Sequence, residues 1–137
     1  MIYICEEVEA NMKEYKGFYI CPHCGNVVDL INDSEVKVVC CGEEMKPLVA
    51  NSVDAAQEKH VPVYEESEDE IVVNVGSVNH PMEKEHYIEW IAMVTDNKMY
   101  RTKLYPEQAP SARFKYVSGS TIYAYCNKHG LWMTKVD

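Results

Sequence analysis

Four histidines and one cysteine fall in three short phrases of the chain: Glu58-Lys59-His60, His80-Pro-Met-Glu-Lys-Glu-His86 and Cys126-Asn-Lys-His129. Structural zinc is satisfied by four ligands, whereas four neutral imidazoles with one thiolate suit a redox iron. Five protein donors leave one position of a six-coordinate metal open to a substrate. The C-x2-H spacing of Cys126 and His129 makes a chelating turn, and Gly130 lets the chain leave it sharply. Pro81 biases His80 towards extended backbone. Read alone, each histidine is a packed or surface residue; the argument rests on the five together.

A second set is Cys21-Pro-His-Cys24 followed by Cys40-Cys41. The C-x2-C knuckle lets two sulfurs reach one metal from a single turn, and Gly25 suits the bend. Adjacent cysteines are unusual for a zinc ribbon and would distort the tetrahedron. Spacing alone leaves zinc and iron both open. A thioredoxin-type dithiol would place the first cysteine at a helix N-terminus, but Gly25-Asn-Val-Val28 is β-like, which favours the metal site. His23, inside the knuckle, reads as an exposed loop residue. Cys5 has no partner at metal-binding spacing.

The elements that must position these groups are mostly strands. Residues 1–15 show no clear period and read as an extension. Residues 16–49 carry short apolar runs, Phe18–Ile20, Val27–Ile31 and Val36–Val39, around the four cysteines. So short a stretch needs a metal staple to fold. Beyond a boundary near Pro47–Asn51, residues 50–137 form the second unit. Its expected strands are Ile71–Val78, His86–Thr95, Lys98–Tyr105, Phe114–Val117, Thr121–Cys126 and Leu131–Thr134, with Ile88, Trp90, Ala92 and Val94 sharing a face of the second. Such spacing predicts an antiparallel sandwich or barrel. The best helix signal is a turn through Val53–Ala56 capped by Asn51 or Ser52.

A hydrophobic fraction of 47% with 26% charged residues is that of a globular chain, and no apolar run approaches the roughly 20 residues of a membrane span. The N-terminus has no basic, then apolar, secretory pattern, so the cytoplasm is the expected location. There, six cysteines read as metal ligands rather than disulfides. A net charge of −9 argues against nucleic acid. Five carboxylates in Glu65-Glu66-Ser67-Glu68-Asp69-Glu70 read as a solvated loop tip.

Around these residues the sequence closely resembles the desulfoferrodoxin family, the two-iron superoxide reductases. The matching text is N-S-V-D-A-A-Q-E-K-H-V-P-V at 51–63, V-G-S-V-N-H-P-M-E-K-E-H-Y-I-E-W at 75–90 and Y-C-N-K-H-G-L-W at 125–132. The C-P-H-C-G-N-V-V and V-C-C-G-E-E-M-K-P-L phrases resemble the family's desulforedoxin-like module. The resemblance implies a mainly β protein: a small desulforedoxin-like metal module, then an immunoglobulin-like antiparallel β-sandwich. It makes His60, His80, His86 and His129 equatorial ligands of a catalytic iron and Cys126 its axial thiolate. Cys21, Cys24, Cys40 and Cys41 would hold a second iron that relays or stores electrons.

The implied reaction joins superoxide, one electron and two protons to give hydrogen peroxide without dioxygen. By the same resemblance, Lys59 attracts superoxide and Glu58 caps the resting iron, and the chain works as a homodimer fed by a rubredoxin-like donor. Backbone N–H groups of the Lys128–His129 turn are expected to bond the Cys126 sulfur. A non-catalytic iron electron carrier, a dismutase and a zinc-stabilised binding module are the rival readings.

Overall fold

The structure, a computed structural model, describes residues 15–137. Cys5 and most of the 1–15 extension lie outside the described residues. Two compact units are present, divided between Val49 and Ala50.

In the first unit, β1 (Phe18–Ile20) pairs antiparallel with β2 (Val27–Asp29) and β5 (Lys46–Pro47), while β3 (Val39–Cys40) and β4 (Glu43–Glu44) form a minimal hairpin. The strands are shorter than the apolar runs suggest. Ile31 is 94% and Val36 74% exposed; among the described residues of this unit, Phe18, Cys21 and Met45 are the buried ones. Tyr15 packs edge-on against Phe18, with ring centroids 4.9 Å apart, and its hydroxyl donates to Asp29 Oδ1.

The second unit is a sandwich of two antiparallel sheets. A single helical turn, α1 (Gln57–His60), leads into β6 (Pro62–Ser67), β7 (Glu70–Val75), β8 (Ile88–Val94), β9 (Met99–Lys103), β10 (Ser111–Lys115), β11 (Thr121–Cys126) and β12 (Gly130–Lys135). One sheet runs β10-β7-β6 and the other β12-β11-β8-β9, the strand arrangement of an immunoglobulin-like fold. Period-2 alternation points Ile71, Val73 and Val75 from β7, and Ile122, Ala124 and Cys126 from β11, into the shared core. The thiol is therefore the last core-facing rung of its strand.

Three expectations change. The alternating face of β8 is broken by a bulge: Tyr125 pairs with Trp90 but Cys126 with Ile88, leaving Glu89 extra. The core side chains are consequently Ile88, Ile91 and Met93, while Trp90 lies on the other face, stacked on Tyr125. The helical turn falls at Gln57–His60 with no side-chain cap. Asn51 instead uses its side chain as a strand partner, accepting from Met133 N at 2.9 Å. The acidic run is exposed at a solvated tip as expected, but its Glu65–Ser67 half is strand, so the tip is that of the β6–β7 hairpin, where Ser67 pairs with Glu70.

Candidate metal centres

All five residues of the His/Cys set lie at one end of the sandwich. Antiparallel pairing sets Pro62 opposite Val75, and Cys126 opposite Ile88. The chain entering β6, leaving β7, entering β8 and leaving β11 is thus brought to the same end. His60 sits on the entry to β6, His80 and His86 both on the β7–β8 connection and His129 on the β11–β12 connection, with Cys126 at the tip of β11. One donor atom from each lies within 4.8 Å of every other.

Two of the rings are held in a defined tautomer. His60 Nδ1 donates to the Ala56 carbonyl at 2.7 Å, and His80 Nδ1 to the Pro81 carbonyl at 2.6 Å. Each Nε2 is then left with a lone pair, and the two face one another at 3.1 Å. Burial disfavours a proton here: desolvation lowers the pKa of His60 and takes that of His80 down to about 4. The His86 Nε2 is buried with no hydrogen-bond partner among the described residues. His129 turns Nδ1 inwards, 3.1 Å from His60 Nε2 and 3.9 Å from Cys126 Sγ, and Cys126 Sγ is 3.4 Å from His80 Nε2. Facing lone pairs with no proton to share call for a cation, so the donor set fits a metal.

Burial raises the Cys126 thiol pKa, while the Lys128 and His129 N–H groups donate to the sulfur and favour the thiolate. Trp132, which sequence reasoning left unassigned, stacks on the His60 ring at 4.9 Å and donates from Nε1 to the His129 carbonyl at 3.1 Å. Gly76 was likewise unassigned. A Cβ there would lie 2.6 Å from the Glu58 carbonyl and 2.9 Å from that of Val61. Only a bare backbone lets the 76–80 connection nest under α1, where Val78 N donates to the Glu58 carbonyl at 2.9 Å. Glu58 and Lys59 are exposed on α1 beside buried His60, and both charges reach its ring.

The sulfurs of Cys21, Cys24, Cys40 and Cys41 also gather within 4.8 Å. Adjacent residues of a strand point to opposite faces, so Cys40 and Cys41 converge only because the chain turns left-handed, with φ of 53° at Cys41 and 76° at Gly42. The first knuckle is closed by Cys21 N donating to the Asn26 carbonyl at 2.8 Å. Its N–H groups at His23 and Cys24 both point at Cys21 Sγ from 3.4 Å. The Cys24 N–H is the main reason the Cys21 thiol falls to about 6. Hydrogen bonds with its neighbours, Cys24 first, push Cys41 up to about 12. Four sulfurs this close cannot all ionise without a counter-cation, which a metal supplies. His23 is exposed and outside the donor set, but it is not idle: Nε2 lies 2.6 Å from Glu43 Oε1, and that pairing raises its pKa.

An immunoglobulin-like sandwich with a four-histidine, one-cysteine set at one end, following a four-cysteine knuckle unit, defines a non-haem metalloprotein with two centres. The chain belongs to the desulfoferrodoxin family: residues 52–135 match the family model described as Desulfoferrodoxin, and residues 13–48 that of the Desulfoferrodoxin N-terminal domain. It is 46% identical to the desulfoferrodoxin of Syntrophotalea carbinolica over 125 residues, covering 90% of this chain and 99% of that protein. Identity to the desulfoferrodoxin homologue of Archaeoglobus fulgidus is 43% over 124 residues, covering 90% of this chain and 99% of the other. Among solved structures, the superoxide reductase from Treponema pallidum superposes with a TM-score of 0.69 at 33% identity, covering 89% of this chain and 99% of that one. The two donor sets are those of the family's two iron centres.

Proposed function

We propose that this protein is a superoxide reductase, an oxidoreductase that takes superoxide, one electron and two protons to hydrogen peroxide and releases no dioxygen. The observation that carries this reading is the convergence of four imidazole nitrogens and one thiolate at the end of the sandwich, two of the nitrogens with lone pairs face to face. The likeness to the Treponema pallidum enzyme supports it. Iron held by this set would supply a one-electron reductant for a small anion.

The residues of the centre would divide the work. His60, His80, His86 and His129 with Cys126 are the ligands. The Ala56 and Pro81 carbonyls keep two of the rings in the binding tautomer. The Cys126 thiolate would donate electron density to the iron, tempered by the Lys128 and His129 N–H groups. Lys59 would draw superoxide in and order the water that delivers protons, and Glu58 would cap the iron at rest; their place beside His60 supports both roles.

Residues 16–49 are the tetrathiolate iron module, with Cys21, Cys24, Cys40 and Cys41 holding an iron that relays or stores electrons. Residues 50–137 are the catalytic domain, and residues 1–15 an extension. The electron donor is a small one-electron carrier such as a rubredoxin, and the protein acts as a homodimer. Cysteines used as metal donors suit the reducing cytoplasm.

The deciding experiment mixes the reduced, iron-loaded protein with superoxide and follows the thiolate–iron absorption together with the gas balance. Peroxide without dioxygen is expected. Dioxygen and peroxide in equal amounts would make the protein a dismutase. An iron spectrum untouched by superoxide and by added azide would make it an electron carrier with a closed site.

A further inference from the structure

His86 is the ligand that the fold grips least directly. Carbonyls hold the His60 and His80 rings, and Trp132 fixes the His129 peptide. Among the described residues no hydrogen bond reaches the His86 ring, whose Nε2 is buried without a partner. Its peptide exchanges bonds of 3.0 and 3.1 Å with Glu83 in an isolated bridge.

Both chain neighbours of His86, however, are held by one residue. Asn127 Oδ1 accepts the Tyr87 N–H at 3.0 Å, and Asn127 Nδ2 donates to the Glu85 carbonyl at 2.9 Å. The Asn127 backbone N–H adds a bond to the Tyr87 carbonyl at 3.3 Å. These bonds bracket His86 on both sides and tie it to the residue that follows Cys126. An asparagine in a turn ordinarily bonds its own backbone two residues on; this one reaches 40 and 42 residues back along the chain. The job needs one acceptor and one donor on a short stem, which a carboxamide has and a carboxylate or an alkyl group lacks.

We infer that Asn127 is a positioning residue of the His/Cys centre: it sets His86 against Cys126 while touching neither metal nor substrate. The inference rests on the ligand reading above. Orienting groups of this kind change metal affinity by about 10- to 100-fold when removed.

The test compares the iron-loaded full chain with Asn127→Ala and Asn127→Asp. In Asn127→Ala, iron release from the His/Cys centre to a chelator should quicken about 10- to 100-fold, with a shifted thiolate–iron band. The tetrathiolate centre of the same molecule should keep its spectrum and release rate. Asn127→Asp, which keeps the acceptor for Tyr87 and loses the donor to Glu85, should fall between. A release rate within about twofold of the parent together with an unshifted band in both variants would overturn the inference. Equal loosening of both centres would also overturn it, because that marks general destabilisation. If Asn127→Ala does not fold, Asn127→Asp decides by the same readouts. Neither readout involves superoxide, so this failure is distinct from failure of the proposed reaction, which the parent protein's gas balance tests.

Discussion

At the His/Cys centre, two imidazole nitrogens face each other at 3.1 Å, each with its other nitrogen bonded to a carbonyl. Such a pair repels unless a cation lies between them. Single residues also decide how an anion reaches a protein of net charge −9. One lysine about 4 Å from an anion contributes roughly 4 kcal/mol at an effective dielectric near 20. Surface carboxylates beyond a Debye length of about 8 Å are largely screened. Lys59→Ala is therefore expected to slow the bimolecular reaction with superoxide by roughly tenfold or more and flatten its dependence on ionic strength. Stopped-flow mixing at several salt concentrations reads both, with the iron spectrum showing that the site stays loaded. An unchanged rate would remove Lys59 from the reaction.

At the scale of elements, the site depends on how closely two connections approach. The 76–80 segment lies under α1 because Gly76 leaves room for the carbonyls of Glu58 and Val61. Gly76→Ala would place a methyl group against backbone that cannot rotate away, an overpacking that costs about 1–3 kcal/mol. The expected outcome is a lower Tm and a His/Cys-centre spectrum displaced from the parent's, since α1 carries His60 and the same connection carries His80. A variant with unaltered Tm and spectrum would show that the contact relaxes freely. The β8 bulge acts at the same scale. By making Cys126 pair with Ile88 rather than Glu89, it keeps Ile88, Ile91 and Met93 all facing the core. A bulge leaves no mark in a hydrophobic pattern read with a fixed period of two, which is why the expected face of that strand was wrong.

For the whole molecule, the buried histidines couple folding to pH once metal is removed. Burial holds the His80 pKa at about 4, below the ordinary 6.5, and lowers those of His60 and His86 too. The unfolded chain takes up these protons as pH falls through 6.5, while in the folded chain His80 resists until about 4 and His60 and His86 also protonate below their ordinary value. Stability of metal-stripped protein is therefore full above pH 6.5 and declines across that window, by at most about 3 kcal/mol from His80. Urea unfolding of the stripped protein at about pH 7.5 and about pH 5 measures the fall; equal midpoints would contradict it. Iron-loaded protein should hold its midpoint further down, until protons displace the metal.

Residue types and spacings alone determined both donor sets, the two-unit division expected of the chain and the mainly β class, because ligand chemistry and strand alternation are written locally. Thr121–Cys126 was legible to the residue, since its pattern has no interruption. Val27–Asp29 came out shorter than its apolar run, and β6 was not anticipated, its C-terminal half masked by the acidic stretch. Tertiary structure decided which ring nitrogen each histidine presents, the left-handed turn that brings Cys40 and Cys41 to one metal, and the supporting parts of Trp132, Gly76 and Asn127. These depend on carbonyls, rings and peptides tens of residues away. No local pattern carries them, because they exist only once antiparallel pairing has brought three connections to one end of the sandwich.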